Sequence, residues 1–278
     1  MKAGTLHVVA TPIGNLEDIT FRALRVLREV AVVAAEDTRR SGLLLRHFGI
    51  TTPLVSLHAH NEGQKTDSLI ARLRSGESVA LVSDAGTPAV SDPGAVLVAA
   101  ARAAGVRVEA VPGASAVLAA LSGSGLAGCE GFAFLAFPPI KSKDREQWLE
   151  KLDVMRRRVP VVFFEAPHRV IQTLGELSNR SINRILVFRE LTKLHETSYD
   201  GPPAQVALQI SPVAGEFTVV VPYEPALSGP AVPPTDDEVR QMFGQITNTK
   251  AREAALKVAA RTGLSVNQVY DIVRAGRD

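Results

Sequence analysis

A chain of 278 residues with 46% hydrophobic and 22% charged side chains can build one large domain or two ordinary ones, and wholesale disorder is excluded. Lys and Arg number 31 against 29 Asp and Glu, so the overall charge singles out no nucleic-acid or membrane binder, though a local basic face stays open. The lone cysteine, Cys129, excludes a disulfide framework and a Cys-cluster metal site, and fits a reducing compartment.

Thr5–Ala10 reads as a strand. Asp18–Glu29 reads as a helix with Ile19, Ala23, Val26, Leu27 and Val30 on one face. Val30–Ala35 is apolar throughout, the pattern of a strand buried on both faces. Helices are predicted over Thr38–Phe48, Glu62–Ser75, Gly94–Ala104 and Ser115–Leu121. Extended segments are predicted over Leu54–Leu57, Ser78–Val82 and Val106–Val111. This alternation predicts a parallel sheet covered by helices, an N-terminal α/β domain over residues 1–125.

From about Phe132 the pattern changes. Phe132–Phe137, Val159–Phe164, Ile185–Arg189, Thr197–Tyr199 and Phe217–Val221 read as short strands with fewer helices between them. A second α/β domain with a mixed sheet is expected over residues 126–222. Residues 223–234 are rich in Pro and read as a linker. Residues 235–278 form a helical block, with helices over Asp236–Phe243, Lys250–Thr262 and Ser265–Arg274. The last two, separated by Gly263, form a helix-turn-helix-like pair. No apolar run reaches the ~18 residues of a membrane span, so a cytoplasmic protein without membrane contact is expected.

Four loops at the ends of predicted strands combine Gly, Pro and small polar residues. They are Thr11–Asn15, Ser83–Gly94, Pro112–Ala116 and Phe164–Arg169. Ligands of α/β sheets bind beyond the carboxyl ends of the strands, where glycine lets them approach the main chain. Four such loops favour a ligand cleft over a set of tight turns. They match neither the dinucleotide G-x-G-x-x-G nor the P-loop, and no zincin or hydrolase-elbow motif is present.

TPIGNLEDITFRAL, AAEDTRRSGLLLRHFGI, SLHAHNE, ALVSDAGTPAVSDPG, VPGASAVLAALSGSGL, FFEAPHR and RELTKLHE stand in this order over most of residues 5–200. With them the chain resembles the S-adenosylmethionine (SAM) methyltransferases of the tetrapyrrole methylase fold. Within that fold it resembles the RsmI branch, which methylates the ribose 2′-hydroxyl of small-subunit ribosomal RNA. The resemblance implies two α/β domains with SAM in the cleft between them, and a homodimer. It implies as substrate a cytidine in the decoding region of 16S rRNA, on the RNA or on the assembled small ribosomal subunit. It implies SAM contacts at Pro12, Ala85, Gly86, Thr87, Val90, Ser115, Ala116, Glu165 and Leu191. Gly14, Ser83, Asp84 and Gly113 of the same loops complete the expected cofactor-binding set. The segment Phe137–Lys141 departs from the more basic, shorter turn of that branch.

Methyl transfer needs alignment of donor and acceptor, and a ribose hydroxyl profits from a proton acceptor. The polar residues near strand ends are Glu36, Asp37 and Arg39; His58, His60, Asn61 and Glu62; Glu165, His168 and Arg169; and Arg189, Glu190, Lys193 and Glu196. Each has a plain structural alternative. Glu36-Asp37-Thr38 suits a helix cap, Arg169 a domain-bridging ion pair, and the 189–196 charges a salt-bridge ladder. Lys193 is the first candidate for acting on the 2′-hydroxyl or its neighbouring phosphate. Glu36 or Glu165 is the first candidate for proton acceptor. No metal site is expected, since only His58 and His60 stand close together. Lys141, Lys143, Arg145, Lys151 and Arg156–Arg158 are seven cations against four acids over residues 141–158. They form either a solvated helix face or an RNA-backbone contact. Lys250, Arg252, Lys257 and Arg261 repeat that choice in the helical block. Two alternatives remain at this point: a corrin or sirohaem C-methyltransferase of the same fold, and a catalytically silent SAM- and RNA-binding protein.

Overall fold

β1 (Thr5–Val9), β2 (Val32–Ala35), β3 (Leu54–Ser56), β4 (Val79–Val82) and β5 (Arg107–Val111) form a parallel sheet in the order β3-β2-β4-β1-β5. The computed structural model describes residues 3–126, 131–224, 235–246, 251–262, 264 and 266–275. Cys129, the Pro-rich residues 225–234, Lys250, Gly263 and Ser265 lie outside the described residues, as does the side chain of Arg261.

Every residue of β2 and β4 is buried, as their unbroken apolar sequences require. The two-residue period then divides the sheet between two cores. Val32, Ala34, Val79 and Leu81 face α3 (Glu62–Arg74) and α4 (Ala95–Ala103). Val33, Ala35, Ala80 and Val82 face α1 (Phe21–Glu29) and α2 (Thr38–His47). Helices on both faces leave the carboxyl-end loops as the exposed rim.

The helix expected from Asp18 begins instead at Phe21. Asn15 caps a single 3-10 turn over Leu16–Asp18, and the Thr20 hydroxyl accepts the Ala23 amide at 3.0 Å to start α1. Two caps so close together divide what periodicity alone joins.

The second sheet is mixed, in the order β6-β7-β10-β8-β9: β6 (Ala133–Phe134), β7 (Val161–Glu165), β8 (Ile185–Arg189), β9 (Thr197–Gly201) and β10 (Phe217–Val221). Only β6 and β7 run parallel. The expected strand over Phe132–Phe137 shrinks to two residues because Ala136 takes φ 51° and Pro138-Pro139 follow without amide donors. The unit is richer in helix than its short strands suggested. α6 (Ser142–Met155), α7 (Pro167–Ser178) and α8 (Pro203–Gln209) cover one face, where Phe163, Val187 and Val219 are fully buried.

α5 (Ala116–Gly123) covers the other face. It leaves β5 of the first sheet, yet its Val117 and Ala120 pack on Val162, Leu186, Phe188 and Val220 of the second. The rim of the first sheet is thereby held against the edge of the second. α9 (Asp236–Gln245), α10 (Ala251–Thr262) and α11 (Val266–Ala275) pack on one another around Val239, Ala255, Val258 and Val269. No helix among the described residues is long and apolar enough to cross a membrane.

Candidate active site

The loops of the first sheet lock to one another through backbone. Thr11 and Gly86 exchange amide–carbonyl hydrogen bonds of 2.9 and 3.0 Å, joining the β1 and β4 loops. The Thr87 hydroxyl donates to the Ala114 carbonyl at 3.3 Å, joining the β4 and β5 loops. A Cβ on Gly113 would stand 3.0 Å from that of Ala10, so this glycine serves close approach of the β5 loop to β1. The Ser83 hydroxyl donates to the Ala85 carbonyl at 3.2 Å and shapes the β4 loop from beneath.

These loops, α5 and the near edge of the second sheet enclose a cleft of about 380 Å³. Ala85, Gly86, Thr87 and Val90 line it from the β4 loop, Ser115 and Ala116 from the start of α5, and Glu165 and Leu191 from the second unit. Pro12, Gly14, Asp84 and Lys193 line an adjoining cavity instead. Ser83, Gly113 and Glu36 line neither. Asp92 and Phe164, inside the expected loops but not singled out within them, line the cleft, as do Phe137 and Glu216 from outside those loops. Phe137 and Phe164 lie 5.5 Å apart between ring centroids. Their signal was their position at strand ends, obscured by the low aromatic content of the chain.

Backbone strain concentrates at the rim. Ala89 and Ser91 in the β4 loop, and Glu190 and Thr192 after β8, have φ between 54° and 67°. Such conformations cost energy and persist only where the surroundings fix them. After β8 that fixing is visible. The Glu190 amide donates to the Glu216 carbonyl and the Glu216 amide to Glu190 Oε1, both at 2.9 Å. Lys193 Nζ sits 2.8 Å from Glu190 Oε1 and 3.1 Å from Glu216 Oε2. The Asn15 amide donates to Thr192 Oγ1 at 3.1 Å, which ties the β1 loop to the second unit.

The expected salt-bridge ladder thus reduces to one pair, Glu190–Lys193, extended by Glu216. Arg189 donates to the Ala214 carbonyl, and Glu196 accepts the Thr192 amide. Burial alone would lower the Lys193 pKa, but the hydrogen bonds to Glu190 and Glu216 outweigh it and raise it above the ordinary lysine value. Lys193 is therefore a fixed ammonium: it can stabilise an anion and cannot take a proton.

Glu165 is engaged on both oxygens. Oε1 accepts the Ala166 amide at 2.8 Å and Arg169 at 2.7 Å, and Oε2 accepts the Thr173 hydroxyl at 2.5 Å. Arg145 donates to Thr173 Oγ1 behind it. A buried carboxylate so occupied anchors its loop, and the arrangement argues against proton transfer. Arg169, whose second contact is the Pro138 carbonyl, stays within the second unit and does not bridge the domains. Arg145 and Arg156 are buried, the first on Glu176 and the second on Asp153 and Glu224. They leave the expected basic face, which keeps Lys141, Lys143, Lys151, Arg157 and Arg158 exposed.

Four carboxylates, those of Glu36, Asp37, Asp84 and Asp92, gather beyond β2 and β4. Asp37 caps α2, its side chain accepting the Arg39 amide, and its own amide donates to Asp84 at 2.9 Å. Glu36 is not the cap. Burial, reinforced by Asp84, raises its pKa. Burial also pushes the Asp92 carboxyl up to about 6, with Glu36 adding to the effect and the Ser83 hydroxyl opposing it. Of Glu36 and Asp92, only Asp92 faces the cleft. Glu62 is buried, and its Oε1 accepts the amides of Gly94, Val96 and Leu97 at 3.0, 2.9 and 3.3 Å. His58 and His60 lie with ring centroids 6.0 Å apart, and neither lines the cleft.

A family model described as Tetrapyrrole (Corrin/Porphyrin) Methylases matches residues 5–207. The "Ribosomal RNA small subunit methyltransferase I" of Pseudomonas aeruginosa is 43% identical over 281 residues, covering 97% of this chain and 96% of that protein. The protein of the same name from Xylella fastidiosa (strain Temecula1) is 51% identical over 224 residues, covering 78% and 81%. Among solved structures, uroporphyrin-III-C-methyltransferase from Thermus thermophilus superposes with a TM-score of 0.56 at 25% identity, covering 83% of this chain and 100% of that one. A diphthine synthase superposes with a TM-score of 0.61 at 17% identity, over 78% and 89%, and shares the fold. The cleft at the rim of a parallel sheet, the matched residues and these relatives agree: the chain belongs to the tetrapyrrole methylase family, in its ribosomal RNA small subunit methyltransferase I branch.

Proposed function

We propose that this chain is a SAM-dependent methyltransferase that acts on the ribose 2′-hydroxyl of a cytidine in the decoding region of 16S rRNA. The observation that carries the reading is the cleft itself, with loops of both units converging on it, in a chain 43% identical along its length to a ribosomal RNA small subunit methyltransferase.

The cleft fits the cofactor on chemical grounds. Its volume of about 380 Å³ lies in the range of small-molecule sites. Ile13, Val90, Leu191 and the two phenylalanines offer apolar surface to a nucleoside. The carboxylate of Glu216 suits its cationic groups, and the start of α5 at Ser115-Ala116 suits a carboxylate. When bound, SAM supplies an activated methyl group to an oxygen nucleophile.

The remaining work belongs to side chains of this protein. Lys193 holds positive charge where the acceptor approaches, favouring an oxygen that is losing its proton. Asp92 lines the cleft, burial pushes its carboxyl up to about 6, and it is assigned as the proton acceptor. Ser83, Glu62 and Gly113 hold the loops in shape. The exposed cations of α6, with Arg252 and Lys257 of α10, are assigned to the RNA backbone. The resemblance further supports a cytoplasmic homodimer, which light scattering of the purified protein would measure.

The experiment is transfer of labelled methyl from SAM to naked 16S rRNA and to assembled small subunits. Label in an alkali-resistant dinucleotide that begins with the expected cytidine supports the reading. Label on a uroporphyrinogen-type substrate, or on a base, overturns it.

A further inference from the structure

Beside the cofactor cleft lies a second cavity of about 470 Å³, walled by the β1 loop, α2 and the turn after β8. Ile13, Ala85 and Glu216 belong to the walls of both. Whatever occupies the second cavity therefore meets the first across those residues.

The wall has two chemistries. Pro12, Leu16, Leu43 and Leu44 are apolar. Leu43 is 63% exposed on α2 although its neighbours Gly42 and Leu45 are buried. An open leucine in a concavity is surface suited to a flat apolar ligand face. Arg40, His47 and Lys193 supply the second chemistry, beside the carboxylates of Asp84 and Glu216. Arg40 approaches Asp84 only to 3.5 Å with two-thirds of its side chain exposed, which leaves its guanidinium able to turn to another anion.

We infer that this cavity is the acceptor pocket: it takes one unpaired ribonucleotide, its base against Leu16, Leu43 and Leu44 and a flanking phosphate at Arg40. The ribose then faces Ile13 and Ala85, where the two cavities meet. Seating one base against Leu16, Leu43 and Leu44 takes the target nucleotide out of its stack. An apolar face joined to an anion is the chemistry of a nucleotide, and the pocket presents the complement of each. The inference rests on the proposed activity and adds the place and mode of substrate entry.

The test compares the intact wild-type protein with Leu43→Asp and Arg40→Ala in methyl transfer to small ribosomal subunits, beside calorimetric binding of S-adenosylhomocysteine. Both changes are at exposed positions. Each is expected to raise the KM for subunits about tenfold or more while the S-adenosylhomocysteine Kd stays within about twofold. A benzophenone side chain installed at Leu43 should crosslink to the methylated nucleotide or its immediate neighbour. Unchanged KM in both variants, or a crosslink mapping elsewhere in the RNA, overturns the pocket while leaving the activity standing. A carboxylated macrocycle that crosslinks at Leu43 in place of RNA also overturns it. A wild-type protein that labels no RNA removes the activity itself, and the pocket with it.

Discussion

Glu62, in the first turn of α3, accepts the Gly94 amide at 3.0 Å and so caps α4, a helix to which it does not belong. The cap position of α4 is Gly94 itself, which has no side chain to offer. One buried carboxylate thus fixes the end of the loop that carries Val90, Ser91 and Asp92 into the cleft. Glu62→Ala leaves three amides without that acceptor, a loss on the order of 1–3 kcal/mol. The expected result is a lower Tm and weaker S-adenosylhomocysteine binding, with Glu62→Gln recovering most of both because it keeps the acceptor oxygen. Calorimetry on the two variants decides it: equal affinity in wild type and Glu62→Ala would detach the cap from the cleft.

Asp92 gives a prediction in which activity and stability move oppositely. Its folded-state pKa of about 6 lies above the unfolded carboxylate value, so the folded state is favoured by protonation. That stability is fully present below pH about 4 and is lost as pH rises through about 6. Asp92→Asn removes the buried charge and should stabilise the protein at pH 7.5 by on the order of 1 kcal/mol, after allowance for solvent screening. The gain should fade toward pH 4. The rate of the wild type should rise through pH about 6 as the carboxylate forms, and the variant should lose that limb along with most of its kcat. Melting curves and pH–rate profiles of the pair measure both halves.

Lys193 should behave as a permanent cation. Its pKa is raised by Glu190 and Glu216 despite the opposing effect of burial, so no alkaline limb below pH about 10 should belong to it. Lys193→Met should lower kcat with little change in S-adenosylhomocysteine affinity. Gly215→Ala probes the same network from beneath. A Cβ there would lie 2.6 Å from the Glu190 side chain, and φ is 93°. The expected cost is about 1–3 kcal/mol together with lower activity, read by thermal melts and steady-state rates.

Glu165→Gln separates an anchor from a catalyst. Removing the charge leaves Arg169 and the Arg145–Thr173 relay facing a neutral amide inside the second unit. Breaking a buried pair of this kind costs about 3–5 kcal/mol. A large fall in Tm with kcat within about threefold of wild type, at a temperature where the variant is folded, is the expected outcome. A folded variant with its kcat abolished would restore Glu165 as proton acceptor.

Much of this arrangement is legible in the residues themselves. The apolar runs Val32–Ala35 and Val79–Val82 announce fully buried parallel strands, and the loops after them carry the glycines and prolines of a ligand rim. What stays hidden is pairing between distant segments. Nothing near Glu62 in the sequence shows that its partner is the amide of Gly94, and the run of cations on α6 does not show that Arg145 and Arg156 turn inward. The placement of α5 on the second sheet is equally non-local, since its apolar face would fit either core. Glu216 was missed for a related reason, and Asp92 stood in an expected loop without a role. Their importance comes from where folding puts them, not from the residues beside them.

The most direct measurement is a crystal structure of this protein grown with S-adenosylhomocysteine. The ligand should lie in the cleft, in contact with Ala85–Val90, Ser115-Ala116 and Leu191, with its sulfur toward Ile13 and Ala85 at the opening to the second cavity. A ligand bound elsewhere, or one whose sulfur faces away from that opening, would contradict that placement.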